Sequence, residues 1–80
     1  MLKVGTMTGG QMRAARALLR WTTEKLAERS GVGLATIKRA EASDSEVRMI
    51  PANLAAVQQA LEAGGIVFIP EDGGGAGVRF

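Results

Sequence analysis

The segment from Thr22 to Glu41 constrains the fold of this chain more than any other part of the sequence. Thr22 is a typical helix N-cap, and the apolar-periodic run after it stops at Gly31, which predicts a helix over about 23–30. A second helical pattern covers about 33–41. Two short helices joined by a three- to four-residue turn that contains glycine form a helix-turn-helix.

Apolar side chains at helical spacing predict how these two helices pack. The positions that lock them at a steep angle are Leu26, Ala27, Val32 and Ile37. Ala27 must be small so that the helices can approach, and Gly31 supplies the positive φ that the turn requires. With that inner face committed to the core, the outer face of the second helix carries Leu34, Ala35, Lys38 and Arg39.

Two further helices flank this pair in the sequence. The capping-box spacing of Thr8 and Gln11 predicts a first helix over about 9–20. Trp21 follows it, and an aromatic residue there is predicted to pack in the core rather than to stack on a base. Residues 42–49 are polar and predict a loop, after which Pro51 starts a fourth helix that stops at Gly64-Gly65.

The C-terminal residues predict a short β-hairpin. Ile66–Ile69 is a β-branched apolar run between turn signals, residues 70–77 form a Gly-rich loop, and Val78–Phe80 returns as a second strand. The fold class is therefore mainly α: a small four-helix domain over 9–65 and a hairpin over 66–80. Residues 1–8 are predicted to be an N-terminal extension.

Composition excludes several functional classes. A chain of 80 residues has the size of one small domain, and it contains neither cysteine nor histidine. Disulfides, thiolate nucleophiles, the commonest metal ligand and the commonest general base are therefore absent. We therefore expect that the protein is not an enzyme and that it binds neither a metal ion nor a cofactor. Without a membrane-spanning run or a secretory signal, we also expect a cytoplasmic protein.

The charges are divided unevenly along the chain. Residues 1–40 hold eight basic and two acidic residues, a net charge of +6, whereas residues 41–80 hold two basic and six acidic residues, a net charge of −4. Such asymmetry indicates that one half faces a polyanion, although solvated helix faces would produce the same counts.

The residues that carry a family resemblance lie mostly in the central segment. They are Thr22-Thr23, Leu26-Ala27, Gly31-Val32, Ala35-Thr36-Ile37 and Glu41, together with residues 11–19 and Asn53-Leu54-Ala55-Ala56. This pattern resembles the Cro and phage-repressor family, also called the xenobiotic-response-element family, well over residues 8–65 and loosely over 66–80. The resemblance implies a lambda-repressor-like fold and a bacterial or phage-like regulator that binds double-stranded DNA.

Helix-turn-helix proteins place the second helix of the motif in the major groove. Arg39 is then a candidate for bidentate pairing with guanine, Lys38 for guanine or phosphate, and Ala35 or Leu34 for a thymine methyl group. The predicted DNA-binding residues are Thr23, Gly33, Leu34, Ala35, Thr36, Lys38, Arg39, Arg13 and Arg20. Among these, Thr23 and the N-terminus of its helix are assigned to a phosphate, and Arg13 and Arg20 to flanking phosphates.

Three features qualify or extend the resemblance. Gly33 stands where the family usually has Ser or Thr as a cap, and Leu34 stands where many members have a polar base-contacting residue. The resemblance also implies a partly buried structural ion pair between Arg16 and Glu41 rather than a DNA contact by either.

A module this small makes few contacts, which favours a homodimer on a palindromic operator. The predicted function is sequence-specific transcriptional regulation, with repression favoured over activation. Helix four and the Ile66–Ile69 strand are the candidate dimer surfaces, with Val78–Phe80 pairing across subunits as one arrangement. The alternative is an antitoxin-like or anti-activator module whose C-terminal tail docks on a protein partner.

Overall fold

A computed structural model describes residues 7–69 and 74–80 of the chain. Within these residues it contains α1 (Gly9–Leu19), α2 (Thr23–Ser30), α3 (Leu34–Glu41), α4 (Pro51–Ala63), β1 (Val67–Ile69) and β2 (Gly77–Arg79). The predicted architecture, a small domain of four helices with a C-terminal two-stranded antiparallel hairpin, is confirmed. In the same residues no helix has the length and apolar run that crossing a bilayer requires. The predicted extension over 1–6 and loop over 70–73 lie outside the described residues.

The helices begin where the local chemistry predicted. At α1 the Thr8 hydroxyl accepts the backbone N–H of Gln11 at 3.0 Å, and the Gln11 side-chain oxygen accepts the backbone N–H of Thr8 at 2.8 Å. At α2 the Thr22 hydroxyl accepts the backbone N–H of Lys25 at 3.0 Å. Pro51 occupies the first turn of α4, where its missing N–H costs no hydrogen bond.

Helix α1 ends at Leu19, one residue before the predicted end, because Arg20 adopts a left-handed conformation with φ 58°. This turn lets the backbone N–H of Trp21 donate to the carbonyl of Arg16 at 2.9 Å, as in a Schellman cap. Gly31 closes α2 in the left-handed region with φ 75°, as predicted.

One hydrophobic core joins all the elements. Its buried apolar members are Met7, Met12, Ala15, Leu26, Val32, Ile37, Val47, Leu54, Val57, Leu61, Ile66 and Phe68. Trp21 packs against this core, as predicted, and the guanidinium of Arg29 lies 5.7 Å from its ring centroid. Met7 is fully buried, so the folded domain begins at least two residues before the predicted boundary at residue 9.

The loop between α3 and α4 folds back onto the start of α1. The backbone N–H of Gly9 donates to the carbonyl of Ser45 at 3.0 Å, and that of Val47 donates to the carbonyl of Met7 at 2.9 Å. Thr8 and Glu46 face each other in an isolated antiparallel bridge. A segment that the sequence predicted only as a polar loop is therefore tied to the N-terminus of the domain.

The hairpin is part of the same domain. Phe68 pairs with Val78, and the second strand begins one residue earlier than predicted, at Gly77. The buried side-chain amide of Gln11 donates to the carbonyls of Ile69 at 3.2 Å and Gly77 at 3.0 Å. Because these bonds fix the hairpin to α1, and because Phe68 is in the core, the two strands are not a detachable tail.

Candidate nucleic-acid interface

Helix α3 is buried along one side and exposed along the other. Ile37 is fully buried in the same core as Leu26 of α2, whereas Ala35, Lys38 and Arg39 are exposed. Leu34 is partly buried, so it is less exposed than the sequence predicted. The outer side of α3 is therefore a short surface with a small apolar patch and two neighbouring cations.

The two cations of α3 have different surroundings. The guanidinium of Arg39 donates to the hydroxyl of Thr36 at 3.4 Å, one helical turn back, so its side chain lies along the helix. Lys38 makes no hydrogen bond or ion pair with any residue in 7–69 or 74–80. Both head groups are thus available to a ligand, and Arg39 has only a long, weak bond to give up.

The start of α3 has no side-chain cap. Gly33 is the N-cap residue, with φ −59° and ψ 142°, and no side-chain hydrogen bond reaches the first-turn N–H groups. Gly33 is exposed, and a Cβ added there would meet only the Thr36 hydroxyl, at 4.0 Å. A serine or threonine would therefore fit, which means that packing does not explain the glycine at this position.

Glu24 places a negative charge at the N-terminus of α2, beside the Thr23 hydroxyl that the sequence assigned to a DNA phosphate. The hydroxyl of Thr23 donates to the carboxylate of Glu24 at 3.1 Å. The pKa of Glu24 is lowered, first by a hydrogen bond from its own backbone, then by the Thr23 hydroxyl, with help from the charges of Lys38 and Arg16. Glu24 is thus ionised at neutral pH and competes with any phosphate for Thr23.

Arg13 is partly exposed and also contacts the protein. Its guanidinium donates to the carbonyls of Glu41 and Ser43 and pairs with the carboxylate of Asp44. The side chain therefore fixes the loop after α3, and its charge is paired with Asp44 in the fold, whereas the sequence assigned it to a flanking phosphate. Arg20 remains exposed at the end of α1.

Arg16 and Glu41 form the ion pair that the resemblance implied. The Nε of Arg16 lies 3.1 and 2.9 Å from the two carboxylate oxygens of Glu41, and its Nη2 lies 2.7 Å from Oε1. Nη1 also donates to the carbonyl of Trp21 at 3.0 Å. The hydrogen bond to Glu41 raises the pKa of Arg16, against the opposing effect of burial. The pair joins α1 to the end of α3 and leaves neither group free for DNA.

The ion pairs of Arg13 with Asp44 and of Arg16 with Glu41 explain part of the charge asymmetry along the sequence. Glu41 and Asp44 belong to the acidic half of the sequence, yet they neutralise Arg16 and Arg13 of the basic half. Part of the asymmetry is therefore internal pairing across the fold. Lys38 and Arg39 remain as adjacent exposed cations on one helix.

A groove of about 290 Å³ lies between α3 and the loop that follows it. Its lining includes the hydroxyl residues Thr36, Ser43 and Ser45, the cations Arg39 and Arg48, and Glu46. Arg48 could not be identified from the sequence pattern, because it stands in an otherwise acidic and serine-rich segment. The groove depends on the pairing of residues 45–47 with 7–9, and local sequence carries no signal for that pairing.

The part of the chain that the structure describes contains no group of three or more His, Cys, Asp or Glu residues placed to hold a metal ion. No protein-family model matches this sequence, and a search of curated proteins finds no significant match.

Proposed function

We propose that this protein is a sequence-specific regulator of transcription that binds double-stranded DNA and acts as a dimeric repressor on a palindromic operator. One observation carries the proposal: α3 buries Ile37 against the core and exposes Ala35, Lys38 and Arg39 on its opposite side. Helices of this kind enter the major groove, which admits one α-helix and presents a distinct pattern for each base pair.

Each exposed residue of α3 has a defined task in this proposal. Arg39 leaves Thr36 and pairs with O6 and N7 of a guanine, while Lys38 binds a second guanine or a phosphate. Ala35 and the exposed part of Leu34 contact thymine methyl groups. Arg20 binds a flanking phosphate, and Thr23 binds one in spite of the nearby charge of Glu24.

Selection from random duplexes tests this proposal, followed by footprinting of the selected sites. We expect a two-fold symmetric sequence whose half-sites are protected about 34 Å apart, or one DNA turn. Affinity should fall steeply as salt rises, because phosphate contacts release counterions. Failure to enrich any sequence at low salt would disprove sequence-specific binding.

Replacing both Lys38 and Arg39 with alanine should remove the preference for the selected site. Each good bidentate base contact contributes about 1–3 kcal/mol of discrimination, so the specific-to-nonspecific affinity ratio should fall by at least roughly tenfold. Both side chains are exposed, so the free energy of unfolding should change by less than about 0.5 kcal/mol.

Arg79→Ala is the matched control for this variant, because Arg79 is also an exposed cation but lies on the hairpin, where its side chain donates to the carbonyl of Phe80. Its preference for the selected site over other sequences should equal that of the wild type. A double variant that keeps its preference would assign base recognition to other residues.

The proposed dimer requires a surface outside the DNA-binding face. On the hairpin, Val67 is 43% exposed and Phe80 is 60% exposed, and each strand of the two-stranded sheet has an edge without a strand partner in the described residues. Exposed apolar side chains beside an open strand edge favour association with another chain.

Replacing Val67 with threonine and Phe80 with serine should convert a dimer into a monomer, as measured by light scattering after gel filtration. Both side chains are largely exposed, so the fold should be retained. Ile50→Thr is the control, since Ile50 is 64% exposed but precedes α4. If the double variant has the same molar mass as a dimeric wild type, the dimer interface lies outside the hairpin. Deleting residues 66–80 is a poorer test, because it also removes Ile66 and Phe68 from the core.

The same exposed residues of the hairpin favour a second candidate function. Val67 and Phe80 are equally suited to dock on a different protein, as in an antitoxin-like or anti-activator module. In that case the wild-type protein would already be a monomer, and replacing Val67 and Phe80 would remove its binding to the protein partner. DNA binding would then be absent or independent of salt.

A further inference from the structure

We propose that a small notch between the ends of α2 and α4 binds a monocyclic aromatic carboxylate, with the ring beside Trp21 and the carboxylate on the guanidinium of Arg29. The notch has a volume of about 150 Å³ and is lined by Trp21, Arg29, Ala60, Ala63 and Gly64. None of these residues belongs to α3. The site therefore goes beyond the proposed function and does not depend on it.

Gly64 explains how the indole of Trp21 comes to line the notch. This residue has φ −78° and ψ −7°, a right-handed conformation that does not require glycine. A Cβ at Gly64 would lie 3.0 Å from a methyl carbon of Leu19 and 3.2 Å from Cζ2 of Trp21. The glycine therefore lets both side chains pack directly on the end of α4. That contact holds one edge of the indole ring in place as a wall of the notch.

The size and lining of the notch suit a single six-membered ring. Apolar cavities of about 150 Å³ are large enough to hold benzene. Trp21 is only partly buried, so its ring is accessible, and aromatic rings attract one another in stacked or edge-to-face pairs. Ala63 and Gly64 are exposed, so the notch opens to solvent and the polar end of a ligand can remain hydrated.

Arg29 provides one positive charge beside this ring. Its guanidinium carbon lies over the indole of Trp21, 5.7 Å from the ring centroid. Arg29 is exposed and has no ion pair among residues 7–69 and 74–80, and the neighbouring Glu28 lies 3.9 Å from the ammonium of Lys25 instead. A guanidinium binds a carboxylate through two parallel hydrogen bonds. One unpaired guanidinium next to an aromatic wall therefore favours a ligand that joins one ring to one carboxylate.

Phenylacetate is the probe, because it consists of one ring, one methylene group and one carboxylate. Trp21 is the only tryptophan of the chain, so tryptophan fluorescence reports on the notch alone. Phenylacetate titrated into the full-length protein should change this fluorescence until it saturates, with a Kd on the order of 1 mM for so small a ligand. Phenylacetamide keeps the ring without the charge and should bind roughly three- to tenfold more weakly.

Arg29→Gln tests the contact with the carboxylate. The variant should bind phenylacetate roughly three- to tenfold more weakly than the wild type and bind phenylacetamide equally well, so that it no longer distinguishes the acid from the amide. Arg79→Gln removes an exposed guanidinium from the hairpin and should keep the wild-type difference. Equal affinity of the wild-type protein for the acid and the amide would overturn the proposal.

Ala63→Leu tests the contact with the ring. Ala63 is exposed, so a larger side chain should fill the notch without changing the core, and binding of both ligands should be lost. Ala52→Leu is the matched control, since it enlarges an exposed alanine at the opposite end of α4 and should leave both affinities unchanged.

The backbone amide signals of Ala63 and Gly64, followed by NMR, provide a second readout of the same titration. If neither these signals nor the fluorescence changes saturably, the proposal is wrong. A protein that binds no ligand but whose molar mass is altered by Ala63→Leu would instead have an interface between copies at the notch, which also overturns it. No measurement in this series uses DNA, so a failure here is distinguishable from a failure of the proposed function.

Discussion

Replacing Gly9 with alanine should cost at least about 3 kcal/mol of the free energy of unfolding. A Cβ at this position would lie 1.8 Å from the carbonyl oxygen of Ser43 and 2.5 Å from that of Ala40. Both atoms belong to the backbone, so no side-chain rotation relieves the overlap. Moving α1 away would break the hydrogen bond from the Gly9 N–H to Ser45. For a domain of this size the loss is a large part of a total stability of about 4–12 kcal/mol.

The neighbouring glycine provides a matched control. A Cβ at Gly10 would lie no closer than 3.7 Å to any atom it meets, all of them on side chains. Alanine favours a helix over glycine by up to about 1 kcal/mol, so Gly10→Ala should be neutral or stabilising. Urea denaturation of the two variants measures both effects. Equal effects from the two substitutions would mean that the close approach at Gly9 does not limit the packing of α1.

Much of the fold could be predicted because its signals are local. The Thr8 and Thr22 caps, the left-handed Gly31 and the start of α4 at Pro51 each depend on residues within one helical turn. Local hydrogen bonding fixes such boundaries in any tertiary context. The one-residue error at the end of α1 has a different origin, because Arg20 takes a conformation that the sequence pattern assigns to glycine or asparagine.

What could not be predicted depends on contacts between distant residues. The burial of Met7, the loop folded back on α1 and the two bonds from Gln11 to the hairpin join positions from 36 to 66 residues apart. The sequence does mark Gln11, but only for its role in the cap of α1. Its second role needs the hairpin in place, and no pattern within α1 contains that information.

The candidate site likewise has features that local sequence predicts and features that depend on distant contacts. The outer side of α3 follows from helical periodicity once Ile37 is assigned to the core, so Lys38 and Arg39 could be identified from sequence. The pairing of Arg13 could not be identified in this way, because its partners lie at the end of α3 and in the loop after it. Counting charges treats every arginine alike, whereas the fold pairs some of them and leaves others exposed.

Replacing either member of the Arg16–Glu41 pair should destabilise the protein by about 3–5 kcal/mol. Glu41 is only 6% exposed, so Arg16→Met would leave a buried carboxylate without its counter-ion. Glu41→Leu would leave a guanidinium whose remaining bond is to the carbonyl of Trp21. The midpoint of thermal unfolding should fall by roughly 12 °C or more in each single variant.

The double variant, with Arg16→Met and Glu41→Leu together, distinguishes the cost of an unpaired charge from the value of the pair. Replacing a whole buried pair with apolar residues is often neutral, because no charge is left without a partner. We therefore expect it to be clearly more stable than either single variant, as measured by denaturation of all four proteins in a double-mutant cycle. Additive losses would mean that the two residues act independently.

Affinity for the selected operator should then be measured on the stable double variant. The pair joins α1 to the end of α3. A reduced affinity would therefore show that the pair also sets the orientation in which Lys38 and Arg39 meet the major groove of the DNA.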